Sequence, residues 1–419
     1  MNVTISPSKA KGNIAAPPSK SLAHRYIICA ALAKGESVIS NIDLSEDIKA
    51  SIDCARALGA SIQVEEDVVT VSGIDAVDIA NNGIAQSSQV DFMCRESGST
   101  MRFFMGIAML LGISSAFYGS EKLRTRPFGI YEKICGEQGI SFVRQEDYIS
   151  IDGKLCAGEY IIEGNISSQF ITGLMFVLPL LEKDSIIKLI PPVESRSYIE
   201  LTIQALAKFG VDAHWQGEET LIIAGGQSYK PSTVRVEGDC SNAAFLEALN
   251  VVGGNVTVEG LNPDSIQGDR VYTDLFERLM AGGDESGNKS DVIDISDCPD
   301  LGPVLFAVAA VTGGGIFTGT KRLKIKESDR GTVMCAELAK LGIDSRMEEN
   351  TIEIRGGKLV SPKEPLDGHN DHRIVMSEAI LLTLVGGQIL GANAVTKSYP
   401  GFFEDIKALG IEVEINGMD

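Results

Sequence analysis

Positive charge is scarce in this chain: 37 Lys and Arg stand against 57 Asp and Glu among 419 residues, a formal net charge of −20. Such an acid excess argues against nucleic acid and anionic membrane surfaces as partners. The eight cysteines include no CxxC pair and none at ligand spacing from a histidine. That excludes a zinc site or a disulfide framework and predicts reduced thiols in a cytoplasmic protein. The opening stretch MNVTISPSKAKGNIAAPP has no apolar core, so a secretory leader is not expected. The longest apolar run, FFMGIAMLLGISSAF at 103–117, is too short and too rich in Gly and Ser to span a bilayer and reads as a buried helix. There is no P-loop, GxGxxG, HExxH or GxSxG, which leaves nucleotide, metal and esterase chemistry without support. No cofactor and no metal are expected.

What is present is a repeated pattern: a helix-like segment, a Gly-containing turn, an alternating strand, a polar turn and a second strand. It occurs at 58–73, 138–153, 209–226 and 341–357, and more weakly at 280–297 and 409–417. Leu-Gly closes a helix with a C′ glycine, and the Glu/Asp/Asn pairs supply hairpin turns between half-buried strands. Six copies predict an internally repeated α/β unit, grouped three and three into two similar domains. Crossings are expected at the Pro/Gly-containing segments 12–18 and 230–238. The expected domains are 1–14 with 236–419, and 15–235, hinged at those crossings.

The few cations recur in short polar clusters that read as loops or helix starts, where backbone N–H groups are free. PPSKSLAHR places Lys20 and Arg25 at the start of an apolar run, with Ser19 or Ser21 as N-cap. Burial beside other cations would lower the Lys20 pKa and suit proton transfer. ESGSTMR puts Gly98 and Ser99 where a backbone can approach an anion, Thr100 as a cap, and Arg102 on the first turn. Arg126 precedes a proline and is biased to extended backbone. ISSQF sets Ser167, Ser168 and Gln169 before an apolar helix, and VESRSY offers Ser195, Arg196 and Tyr198 at another junction. Asp300 in CPDLGP could cap a helix or serve as a base. KESDR holds Lys326, Glu327, Asp329 and Arg330, either a salt-bridged helix start or an acid/base set over an anion. NDHR contributes Asp371, His372 and Arg373, and TKSYPG contributes Lys397. Each cluster alone is an ordinary capped helix start. Together they predict a site for small, multiply charged anions such as phosphates and carboxylates.

Across nearly its whole length the chain resembles the 5-enolpyruvylshikimate-3-phosphate (EPSP) synthase family. PPSKSLAHR, SGSTMR, RP, SSQF, VEGDCSNAAFLEA, QGD, PD, KESDR, NDHR and TKSYPGFFE occur in that family's order. The resemblance implies two domains, each of three βαβαββ units about a pseudo-threefold axis, with an inter-domain active-site cleft that closes on its substrates. It implies addition of the 5-hydroxyl of shikimate 3-phosphate to C2 of phosphoenolpyruvate, then loss of phosphate, without metal or cofactor. By the same resemblance, Lys20, Ser21, Arg25, Ser167, Ser168, Gln169, Ser195, Tyr198, Asp300 and Lys326 would bind shikimate 3-phosphate. Lys20, Gly98, Arg126, Gln169, Arg330, Arg373 and Lys397 would hold phosphoenolpyruvate, with Arg102 and His372 in support. Asp300 would be the base, Glu327 the proton donor to C3, and Lys20 would relay charge to the leaving phosphate. Two phosphates and a carboxylate from each substrate repel one another, which many cations must offset.

The chain departs from the family pattern at two places. Glu96 opens the ESGS segment where the family usually has Asn, a charge that would have to point away or pair, for instance with Arg95. Ser197 replaces a frequent Pro. The related UDP-N-acetylglucosamine enolpyruvyltransferases carry a Lys-Asn pair and a loop Cys; here Ser21 follows Lys20 and YGSEKLR has no Cys. A non-catalytic anion binder would be expected to lack one of Lys20, Asp300 and Glu327. The expected protein is a monomer inhibited by glyphosate, with neither nucleic acid nor membrane as partner.

Overall fold

In the computed structural model, residues 1–82, 89–281 and 292–417 are described. They fall into two compact units, one running from Pro18 to Glu237 and a terminal one of Met1–Pro17 with Gly238–Asp419.

The mid-chain unit is built from one motif used three times. Val90–Met93 leads through the helix Gly98–Leu111 to Ser115–Tyr118, then through Gly129–Gln138 to the hairpin Ser141–Arg144 and Tyr148–Asp152. The first two strands pair in parallel, as a helical crossover requires, and the hairpin adds antiparallel strands. Glu159–Glu163 starts a second copy, with helices Ser168–Val177 and Arg196–Lys208. In the third copy the first strand comes last in sequence: Thr233–Arg235 lies parallel to Gly35–Ser40. Lys20–Leu32 is the inner helix of that copy.

The terminal unit follows the same plan. One copy runs through Val292–Asp294, the helix Gly302–Thr312, Gly315–Thr318, the helix Arg330–Lys340 and the strands Ser345–Met347 and Thr351–Ile354. Another runs from Leu366–Asp367 through the helix His372–Val385 to Val413–Asn416, and the N-terminal strand Asn2–Ile5 completes its sheet. The third copy pairs Lys11–Ala15 with Asn255–Glu259 in parallel, and its sheet has two strands among the described residues. A sixth hairpin was expected at 280–297. Of that segment, 282–291 lie outside the described residues, and Val292–Asp294 is the first strand of the following copy.

Two kinds of helix result. The first helix of each copy is buried over most of its surface, polar and charged side chains included; in Gly302–Thr312 every residue from Gly302 to Ala310 is buried. The FFMGIAMLL run lies in such a helix, Gly98–Leu111. The second helices are amphipathic, burying one apolar face and exposing a polar one. The hairpin glycines adopt the positive φ expected of C-caps, for example Gly139 at 69° and Gly342 at 83°. Each unit has its own hydrophobic core. Among the described residues no helix is long and apolar enough to cross a membrane.

Candidate active site

Four inner helices, those starting at Gly98, Ser168, Gly302 and His372, follow shortly after the first strand of their own copy, which leaves their free N–H groups and positive dipole ends beyond that strand's end. Caps shape these starts. Ser97 accepts from Thr100 N, Ser167 from Gln169 N, Asp239 from Asn242 N and Asp371 from Arg373 N. Thr100, expected to cap, is thus a donor to the cap, and Arg102 falls on the second turn rather than the first. Ser19 occupies the N-cap position of Lys20–Leu32, where its side chain makes no capping bond to the helix.

Arg25 ties three elements of the mid-chain unit together. Its Nε donates to Thr202 Oγ1 at 3.0 Å, its Nη1 to Ser21 O at 2.7 Å, and its Nη2 to Tyr198 O at 2.8 Å and Thr172 Oγ1 at 3.5 Å. It is 3% exposed, and all these acceptors are neutral. Burial pulls its pKa down to about 10, so it stays charged near neutrality. A buried cation with only neutral acceptors is a place for an anion. Ser195, whose carbonyl accepts from Tyr198 N at 3.1 Å, is buried and held at φ 56° ahead of the helix Arg196–Lys208. Ser168 is buried as well.

The Arg102 guanidinium lies against both Phe128 and Phe170, 5.4 and 5.0 Å from the ring centroids. It hydrogen-bonds Gln169 Oε1, while Gln169 Nε2 donates to Ser99 Oγ at 2.8 Å. The Gln169 amide is therefore fixed in orientation. Arg126 packs over Gly98 with extended backbone, φ −59° and ψ 156°.

Lys20 has a different setting from the one expected. Its ammonium lies 2.8 Å from the Asp47 carboxylate. Its neighbour His24 is fully buried and bonded through Nδ1 to Ser51 Oγ at 2.8 Å. Burial, then Lys20 and Arg25, hold the His24 pKa well below its ordinary value. Arg95 bonds Glu46 and Asp53.

In the terminal unit Lys326, Glu327, Asp300, Arg330, Asp371 and Arg373 form one cluster. Arg330 is 1% exposed and grips three carboxylates: Asp300 at 2.8 Å, Glu327 at 2.7 Å and Asp371 at 2.9 Å. Asp300 also takes Lys326 at 3.0 Å and Arg373 at 3.2 Å. Burial pushes Asp300 up, but Arg373, Lys326 and Arg330 outweigh it and hold its carboxyl well below the usual range. Burial also opposes the Arg330 charge; Asp371, Glu327 and Asp300 overcome it and raise its pKa. For Lys326 burial wins over Asp300 and lowers the pKa. Glu327 and Arg330 pair across one turn as the salt-bridged helix start that KESDR allows, and Asp329 is its N-cap, accepting from Thr332 N. Lys397 donates to Asn370 O at 2.6 Å beside the same turn, and His372 is buried next to Asp371.

Several groups had no signal in the sequence. Asp47 lies 27 residues from Lys20, and nothing local links them. The hydroxyls of Thr172 and Thr202 look like ordinary helix interior. Asp269 was visible in QGD without a role; it is buried, bonded by Ser241, and pushed up to about 6 by burial and then by Asp300. Asp371 could have been read as the cap it is, though not as the anchor of Arg330.

The arrangement defines a class first. Solved EPSP synthases from Acinetobacter baumannii share this fold; one aligns with a TM-score of 0.78 over 99% of this chain and 100% of its own, at 24% identity. The family profile described as EPSP synthase (3-phosphoshikimate 1-carboxyvinyltransferase) matches residues 5–406. Curated relatives named 3-phosphoshikimate 1-carboxyvinyltransferase include one from Clostridium beijerinckii, 41% identical over 98% of this chain and 97% of its own length. Another, from Clostridium perfringens, is 42% identical over 97% of this chain and 98% of its own. The chain belongs to the EPSP synthase family.

Proposed function

We propose that this enzyme transfers the enolpyruvyl group of phosphoenolpyruvate to the 5-hydroxyl of shikimate 3-phosphate. The hydroxyl oxygen bonds to C2 while its proton leaves and C3 gains a proton, giving a tetrahedral intermediate. The C2–O bond to phosphate then breaks, C3 loses a proton, and enolpyruvylshikimate 3-phosphate and phosphate result.

The observation that carries this reading is the seating of Asp300 and Glu327 on the two terminal nitrogens of one buried guanidinium, Arg330. Two carboxylates of fixed spacing suit removal of the hydroxyl proton by Asp300 and proton delivery to C3 by Glu327. A substrate phosphate or carboxylate that draws Arg330, Arg373 and Lys326 away from Asp300 raises its basicity on arrival. Lys20 stabilises charge on the departing phosphate, its ammonium seated beside Asp47. Arg126, Arg330, Arg373 and Lys397 hold phosphoenolpyruvate, with Gly98 and Gln169 beside it. Arg25, Ser21, Ser167, Ser168, Ser195, Tyr198 and Lys326 hold shikimate 3-phosphate, the Arg25 guanidinium facing its carboxylate. The enzyme works as a cytoplasmic monomer, and glyphosate, which carries a phosphonate and a carboxylate, competes for the phosphoenolpyruvate groups.

The test is phosphate release from phosphoenolpyruvate with shikimate 3-phosphate, against UDP-N-acetylglucosamine as acceptor. Release only with shikimate 3-phosphate, lowered about 10²–10⁴-fold in Asp300→Ala, is expected for loss of an acid/base group. Release only with the nucleotide sugar would overturn the substrate.

A further inference from the structure

The turn that carries Asp371 and Arg373 has an unusual backbone. His369 and Asn370, neither of them glycine, follow one another in the left-handed region at φ 48° and 54°. Such residues persist only when their surroundings hold them. Gly368, just before them, has no room for a side chain: a Cβ there would lie 2.3 Å from Val375 Cγ2.

One buried side chain does much of the holding. Glu337 is 3% exposed on the helix Arg330–Lys340. Its Oε1 is hydrogen-bonded with His369 Nε2 at 3.0 Å, and its Oε2 accepts from Asp367 N at 3.1 Å. Lys340 neutralises it at 2.8 Å. Asp367 in turn accepts from His369 N at 2.8 Å. Seven residues earlier on the same helix face, Arg330 grips Asp371 at the far end of the turn. One helix thus clasps segment 367–371 at both ends.

The position of the turn matters for the site. Asn370 O receives Lys397 Nζ at 2.6 Å, and Asp371 Oδ1 accepts from Arg373 N at 3.0 Å. We infer that Glu337, through His369, is a positioning residue for phosphoenolpyruvate: it holds the left-handed turn that sets where Lys397 and Arg373 stand. The inference rests on the assignment of those two cations to phosphoenolpyruvate. Glu337 itself touches no proposed substrate group. Its loss acts on the site through the backbone of residues 369–370.

Steady-state kinetics of Glu337→Gln and His369→Gln test it, with KM measured for each substrate separately and folding followed by thermal melting. The expected result is a rise of about tenfold in KM for phosphoenolpyruvate, equivalent to about 1.4 kcal/mol, with KM for shikimate 3-phosphate changed less than twofold. Adding Asn370→Gly to Glu337→Gln should recover part of the loss, because glycine takes positive φ without strain and keeps the carbonyl that meets Lys397. A purely structural role would move both KM values and the melting temperature together and show no such rescue; that outcome overturns the proposal. So does an unchanged KM for phosphoenolpyruvate in both single variants. A wild-type enzyme that releases no phosphate would instead overturn the functional assignment, and this inference with it.

Discussion

Gly98 has no side chain because the space above it belongs to two guanidiniums. A Cβ there would lie 2.7 Å from Arg126 Nη1 and 3.1 Å from Arg102 Nη1. The helix could accept alanine at this position, and the obstacle is the mobile end of an arginine. Gly98→Ala should therefore spare the fold and shift Arg126. The expected outcome is a KM for phosphoenolpyruvate raised about tenfold, the kinetic equivalent of about 1.4 kcal/mol, with a melting temperature within a degree or two of wild type. Steady-state kinetics beside a thermal melt decides it; an unchanged KM would show that Arg126 is not held by the Gly98 surface. The sequence already marked Gly98 as a point of close approach. It could not show that the approaching groups are this protein's own arginines, since 98 and 126 meet only in the folded unit.

Helix character was legible where it depends on local pattern. Mostly apolar segments became the inner helices and amphipathic ones the outer helices, and a glycine closed outer helices before the next strands, after Leu at 58, 341 and 409 and after Gln138 and Phe209. The packing of one helix on another was not legible. Gly106 and Gly173 let the helices Gly98–Leu111 and Ser168–Val177 touch: a Cβ on Gly106 would lie 2.7 Å from Gly173 O, and one on Gly173 would lie 2.1 Å from Tyr131 Oη. Tyr131 Oη donates to Arg102 O at 2.9 Å, so this contact also holds the arginine that orients Gln169. Gly173→Ala should cost about 1–3 kcal/mol through overpacking and impair turnover as well; a denaturant midpoint equal to wild type would refute it. On the inner helix His372–Val385, Glu378 is buried with neither carboxyl oxygen hydrogen-bonded among the described residues. Burial, then Glu337, raises its pKa well above the ordinary glutamate range. The folded state therefore binds this proton more tightly than the unfolded chain. The stability it contributes is complete below the ordinary glutamate pKa and is lost as pH climbs toward the raised folded value. Glu378→Gln stays neutral at every pH. Its melting temperature should gain on wild type progressively between pH 5 and pH 9, and a constant gap across that range would contradict the assignment.

For the molecule as a whole, repetition was the most legible property and charge pairing the least. Hairpin copies announced themselves because each is a contiguous run. Pairs such as Lys20 with Asp47 or Arg330 with Asp371 join residues 27 and 41 positions apart, and a single sequence holds no local trace of them. These pairings decide how a chain of net charge −20 can bind anions at all. In the terminal unit, Asp300, Glu327 and Asp371 already balance Lys326, Arg330 and Arg373, so an incoming anion exchanges one partner for another. Arg25 in the mid-chain unit has only neutral partners, so an anion there adds a new charge-assisted contact. Shikimate 3-phosphate alone should therefore stabilise the protein strongly, by about 2.7 kcal/mol at a hundred times its Kd. Phosphoenolpyruvate alone, gaining less per contact, should give a smaller shift at equal concentration. Arg25→Gln removes the charge yet can still meet neighbouring hydroxyls and carbonyls, and it should lose most of the shikimate 3-phosphate shift in a thermal melt. If Arg25→Gln keeps the full shift, the unpaired guanidinium is not where that substrate's carboxylate goes, and the assignment of this pocket fails.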